Sequence, residues 1–216
     1  MRRNKLSLAL GLMVMIAAAP ALAKDGDMIV RFGAAYVSPT GDFSKVQLDE
    51  PPLIGVGVFE ADSAPGAFAG FEYVFNDLVG LDAAILYSKP DICDSYTETI
   101  DGDVVHRNFS SEKAWLAPVL LSAHFHFLRK ETLDLYAGPT ASYVIYGDVY
   151  QRPMKNDFGY GAVAGIDVPF GAGKWMFSAA VRYLKTAAET KAADLEDYLD
   201  IDMDPVIVQA GVGVRF

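Results

Sequence analysis

The stretch that most constrains this chain is its last one, residues 205–216. Counting back by twos from Phe216 gives Val214, Val212, Ala210, Val208 and Val206, a wholly apolar face. The other face reads Arg215, Gly213, Gly211, Gln209 and Ile207, small or polar with one charge. That is a β-strand of period two. In a soluble sandwich the apolar face would look at a core. In a transmembrane barrel it would look at lipid, and the other face would line a narrow interior. The rest of the chain has to decide between the two.

Seven earlier runs alternate in the same way, at 28–37, 67–75, 78–88, 115–127, 133–146, 158–169 and 175–185. Their connections alternate in length. Residues 38–66, 89–114, 147–157 and 186–204 are long and polar, whereas Asn76-Asp77, 128–132 and 170–174 are short. The aromatics on the apolar faces fall in two belts. Phe75, Phe127, Trp175 and Phe216 stand at the short-turn end, and Tyr36, Tyr87, Trp115, Tyr143, Tyr160 and Tyr183 near the long loops. Two aromatic girdles around an aliphatic waist are what a bilayer with two interfaces selects. The expected fold is therefore all-β, an eight-stranded antiparallel up-and-down transmembrane barrel with short turns at one end and longer loops at the other. Pro118 has no backbone N–H to give a ladder, so a bulge or local break is expected there. Helix is expected only in loops, with a short turn possible within 191–202.

The first residues do not belong to that domain. A basic start (Arg2, Arg3, Lys5), an apolar run over 6–19 and an Ala21-Leu22-Ala23 cleavage signal are expected to form a secretory signal peptide over 1–23. The barrel domain is then 24–216. Without those three cations, 15 basic residues face 28 acidic ones, a formal charge of −13. Such a balance argues against nucleic acid as a partner. The single Cys93 excludes an internal disulfide and CxxC metal or redox chemistry.

Strand parity sorts the inward residues by depth. Arg31, Glu72, Asp82, His124, His126, Asp134, Asp167 and Arg215 lie toward the short turns. Charges in a narrow lumen must be paired, so a mesh of Arg–carboxylate and His–carboxylate contacts is expected. It either holds the interior together or also plugs that half, forcing an apolar solute to leave sideways. Toward the long loops the inward residues are Val37, Phe68, Leu86, Leu116, Leu120, Val144, Leu184 and Ile207, with Tyr146 at the rim. They read equally as packing and as a hydrophobic route. Arg182 is the exception in that half and needs an acidic or phenolic partner across the lumen. Gly159, Gly161, Gly165, Gly211 and Gly213 leave room on one wall, for facing aromatics or as a weak point for lateral opening.

No catalytic set can be defended. His124 and His126 have strand spacing and could share a metal, but the sequence fixes no third ligand, so no metal or cofactor is assigned. Gly171-Ala-Gly-Lys174 lacks the length and the Ser/Thr of a phosphate-binding loop. Asp194, Glu196, Asp197, Asp200, Asp202 and Asp204 lack the calcium-loop pattern and its central Gly. They read as a solvated loop, or as a bridge to lipopolysaccharide through divalent ions.

The runs at 26–39 (GDMIVRFGAAYVSP), 74–82 (VFNDLVGLD), 135–143 (LYAGPTASY) and 204–216 (DPVIVQAGVGVRF) resemble, in order, those of the OmpW family of outer-membrane proteins. The connection 147–157 is shorter than many members carry, and the chain ends in Val-Arg-Phe where Tyr-Arg-Phe is more usual. The resemblance implies a barrel of the Gram-negative outer membrane, among lipid and lipopolysaccharide. It implies a passive path for small hydrophobic molecules, with possible lateral exit, and insertion by the outer-membrane assembly machinery through a signal ending in Phe216. The rival expectation is a structural or surface-interaction barrel with a filled interior.

Overall fold

A computed structural model describes residues 26–40, 45–50, 53–100, 103–148, 154–171, 174–191 and 198–216. The expected signal peptide, Asp194, Glu196 and Asp197 lie outside them. Fifteen strands run in chain order: β1 (Met28–Ser38), β2 (Lys45–Glu50), β3 (Leu53–Ala61), β4 (Ala64–Val74), β5 (Val79–Ser88), β6 (Asp91–Ile100), β7 (Asp103–Lys113) and β8 (Leu116–Lys130). Then come β9 (Leu133–Tyr146), β10 (Met154–Lys155), β11 (Asp157–Phe170), β12 (Trp175–Lys185), β13 (Ala187–Lys191), β14 (Tyr198–Asp202) and β15 (Val206–Arg215). Eight of them close into one antiparallel barrel in the order β1-β15-β12-β11-β9-β8-β5-β4. Among the described residues there is no helix.

The chain ends zip together. Met28 N–H donates to Phe216 O at 3.2 Å and Phe216 N–H to Met28 O at 2.8 Å, extending the β1–β15 ladder to the last residue. Closure leaves no unpaired strand edge to face lipid. At one short turn the Asn76 side chain accepts from the N–H groups of Leu78 and Val79, both at 2.9 Å, which fixes the reversal into β5.

Burial follows the alternation. Along β12 every second residue is buried, from Met176 to Leu184, and the residues between are exposed. The exposed side carries Phe75, Phe127, Trp175 and Phe216 at the short-turn end, and Tyr36, Tyr87, Trp115, Phe158, Tyr160 and Tyr183 at the other. Leu81, Leu121, Val181 and Val208 are exposed between the belts. A soluble protein would not leave such a band in water. A charge placed at mid-band, Ala179→Arg, is accordingly expected to cost about 2–4 kcal/mol of folding into bilayers. A cost near zero by urea titration in lipid vesicles would mean that this face does not meet acyl chains.

One expectation changes. The residues beyond the barrel at the long-loop end are largely strands. β2-β3-β6-β7 form a four-stranded sheet and β10-β13-β14 a three-stranded one. Lys191 of β13 and all of β14 fall within 191–202, where a short turn is expected, and 192–197 lie outside the described residues. At Pro118, where a bulge or a local break is expected, the ladder shows the break. Pro118 pairs with Val144 in register on the β9 side. On the β5 side the pairing jumps from Ile85↔Val119 to Ser88↔Leu116 without changing register. The bulge itself falls between His126 and Leu128. The extra residue there keeps Phe127 outside and turns Arg129 toward the lumen, where its Nε stands 3.6 Å from Asp134 Oδ2.

Candidate functional site

The lumen is built as two layers. The lower one, toward the short turns, collects charges that the register places side by side. Glu72 pairs with Asp82 across β4–β5, and Asp134 with Asp167 across β9–β11. Like charges directly opposite repel, so cations must sit between them. Arg31 does: Nη2 is 2.5 Å from Asp167 Oδ2 and 2.6 Å from Glu72 Oε2, and Nε donates to Asp167 Oδ1 at 3.3 Å. Its cross-strand neighbours are Gly213 and Gly70, which leave its long side chain room to cross.

Two histidines on β8 complete the layer. Glu72 Oε1 lies 3.0 Å from His124 Nδ1 and 2.9 Å from His126 Nε2, and His126 Nδ1 lies 2.7 Å from Asp134 Oδ1. Arg215 is only half-buried and reaches Asp134 Oδ2 at 3.9 Å, while Arg129 closes the mouth on Asp27 at 2.7 Å. All eight polar residues expected in this half are therefore brought together, with Arg215 at the margin.

Arg182 reaches down into the same network. It donates to Asp82 Oδ2 and Gln209 Oε1 at 2.8 Å each, and to Ser122 Oγ at 2.6 Å. Ser122 in turn lies 3.0 Å from Thr140 Oγ1. Its partner is thus acidic, and the buried hydroxyls serve the guanidinium and each other.

One component is missing from the residues singled out by type. Tyr136 is 2% exposed, stacks on His124 with ring centroids 4.3 Å apart, and lies under the Arg31 guanidinium at 5.3 Å. Its partner in the β9–β11 register is Gly165, where any Cβ would run into the tyrosine ring. Inward parity with a glycine opposite would have found it. Gly165 is thus one wall glycine that accommodates an aromatic. Substituents at Gly161 and Gly211 would instead strike neighbouring backbone, and one at Gly213 would strike Met176.

Above the charges the lumen is apolar. Val37, Leu86, Leu116, Leu120, Val144, Tyr146, Leu184 and Ile207 are all buried in one cluster, with Phe68 packed against it and Ala35, Ala84, Ile92 and Met203 filling in. Where the layers meet, a cavity of about 10 Å³ is lined by Arg31, Phe68, Asp82, Tyr136, Arg182 and Gln209. That is space for about one water. Pro118 is buried on the inner face beside Leu116 and Leu120, at the interrupted part of the β5–β8 ladder.

A model of the OmpW family matches residues 24–216. The barrel superposes on the crystal structure of the outer membrane protein OprG from Pseudomonas aeruginosa with a TM-score of 0.66. That match has 18% identity and covers 89% of this chain and 97% of that one. It superposes on the solid-state NMR structure of outer membrane protein AlkL in DMPC bilayers with a TM-score of 0.58, at 17% identity, over 91% and 94%. For Neisserial surface protein A the TM-score is 0.51, at 12% identity, over 89% and 98%. At these identities the likeness to the solved structures is one of fold. No curated protein matches the chain.

Proposed function

The chain belongs to the OmpW family, as an outer-membrane β-barrel of Gram-negative bacteria, and on that footing we propose that it gives small hydrophobic molecules a passive path. The single observation that carries this reading is the division of the lumen, apolar from Val37 to Ile207 and closed below by buried ion pairs. A solute displacing leucine side chains exchanges one set of apolar contacts for another. Crossing the lower layer would mean separating desolvated charges, at several kcal/mol each. The molecule therefore leaves sideways.

The β5–β8 seam is where the wall yields. It lacks ladder pairs between Ile85↔Val119 and Ser88↔Leu116, because Pro118 has no N–H to give. Leu86, Leu116 and Leu120 line its inner side, so the opening joins the apolar layer to lipid. Phe216, exposed at the end of the closing ladder, is the residue offered to the assembly machinery.

The test is uptake of small hydrophobic solutes by vesicles whose outer leaflet is lipopolysaccharide, because plain phospholipid passes such solutes unaided. Uptake above that of empty vesicles is expected, and none above them rules passage out. Pro118→Val, which restores the donor, is expected to slow uptake while preserving heat-modifiable folding. Unchanged uptake would remove the seam from the path.

A second reading, a structural or surface-interaction barrel, is favoured by the burial of the apolar layer, in which Val37, Leu184 and Ile207 are wholly inaccessible. It predicts no uptake at all.

A further inference from the structure

Two β8 histidines and one β4 carboxylate point their donor atoms at one place in the charged layer. One ligand atom from each of Glu72, His124 and His126 lies within 4.8 Å of the other two, and Glu72 Oε1 stands 3.0 Å from His124 Nδ1 and 2.9 Å from His126 Nε2. None of the three residues is more than 3% exposed. Two imidazoles and one carboxylate are a donor set that zinc-like divalent ions accept, with a further position left for water.

Three other features of the layer suit an ion there. Both rings have a carboxylate behind them. His126 Nδ1 lies 2.7 Å from Asp134 Oδ1, and His124 Nε2, buried and without a hydrogen bond, stands 3.8 Å from Asp82 Oδ2. Metal-bound imidazoles usually give their second N–H to such a group, which fixes ring and tautomer.

Buried carboxylates also outnumber buried guanidinium groups in this layer. Glu72, Asp82, Asp134 and Asp167 are at most 2% exposed, against only Arg31 and Arg182 at 4%. Arg129 and Arg215 sit nearer water, reach Asp134 at 3.6 and 3.9 Å, and share Asp27.

Space is the third. Gly80 pairs with His124, and a Cβ there would strike Glu72 Oε1 and lie 3.2 Å from His126 Nε2. The missing side chain is what lets the carboxylate of β4 reach past β5 to the histidines of β8.

We propose that Glu72, His124 and His126 bind one divalent transition-metal ion of zinc's type, backed by Asp134 and Asp82. The ion ties β4 to β8 across β5 and fastens the lower layer. The site stands independently of any solute path above it.

The barrel, purified in detergent and stripped with chelator, is incubated with Zn²⁺ or Co²⁺ alone and then desalted. About one ion per chain is expected to stay, with the visible absorption of low-coordinate Co²⁺. Glu72→Gln and His126→Asn are expected to abolish retention, and Asp134→Asn to weaken affinity by about 10–100-fold. His106→Asn, which removes the remaining histidine, leaves retention unchanged. Failure to retain metal, or retention indifferent to Glu72→Gln and His126→Asn, overturns the proposal. If the ligand variants do not fold, X-ray absorption of the zinc-loaded wild-type barrel decides. Two imidazole nitrogens around the ion support the site, and an oxygen-only shell overturns it.

Discussion

Replacing Arg31 by Met is expected to destabilise the barrel by about 3–5 kcal/mol, the cost of leaving a buried charge without its partner. Arg31 is 4% exposed and Asp167 and Glu72 are fully buried. Glu72 would keep its two histidines. Asp167 fares worse, because both of its described side-chain hydrogen bonds come from Arg31, and Asp134 faces it directly across the strand pair. Most of the penalty therefore falls on Asp167. Arg31→Met combined with Asp167→Asn should recover part of the loss, with a coupling of about 1–3 kcal/mol. Urea titration in lipid vesicles, followed by tryptophan fluorescence, measures Arg31→Met, Asp167→Asn and the double variant. A single-variant cost below about 1 kcal/mol would mean that water reaches these charges, and the lower layer would not be a plug.

Why this network was only half legible in the sequence is a matter of register. Parity alone put Arg31, Glu72, Asp82, His124, His126, Asp134 and Asp167 inside, because each sits opposite an apolar, lipid-facing neighbour. Which of them meet depends on the offset between strands, and no local pattern carries that. The juxtaposition of Glu72 with Asp82 and of Asp134 with Asp167 exists only once the ladders are set. The same holds for Glu72 as the third donor beside His124 and His126. It arrives from another strand, over the gap left by Gly80.

Tyr136 is hard to single out from the sequence for a different reason. Among the charged and imidazole side chains it offers no distinctive chemistry, and only the facing Gly165 reveals that the lumen was shaped around it. The outer strands β2, β3, β6 and β7 were hidden because their alternation is weak. Once a sheet stands clear of lipid, neither face has to be apolar. Pro118 produces the milder of the two effects expected of it. A missing N–H interrupts a ladder on one side, but an extra residue is needed to shift its register, and that residue is at Phe127.

Opposite substitutions at one apolar position should move solute uptake in opposite directions. Leu184 is fully buried in the upper layer, beside Gly161 on β11, and Leu120 is 1% exposed on β8. Leu184→Ala removes side-chain volume from a closely packed lumen. It is expected to cost about 2–5 kcal/mol of stability and yet to raise uptake, because the solute then has less side chain to displace. Leu184→Arg puts a guanidinium across the route, and so does Leu120→Arg. An apolar molecule passing it must take water from a charged donor, at about 1–3 kcal/mol, which lowers uptake about 5- to 150-fold. Both changes destabilise, so a loss of function through poor folding would move them the same way. Only a route through the upper layer gives them opposite signs. A barrel whose interior is simply full gives no uptake with Leu, Ala or Arg at 184, and that outcome in lipopolysaccharide-faced vesicles would end the transport reading.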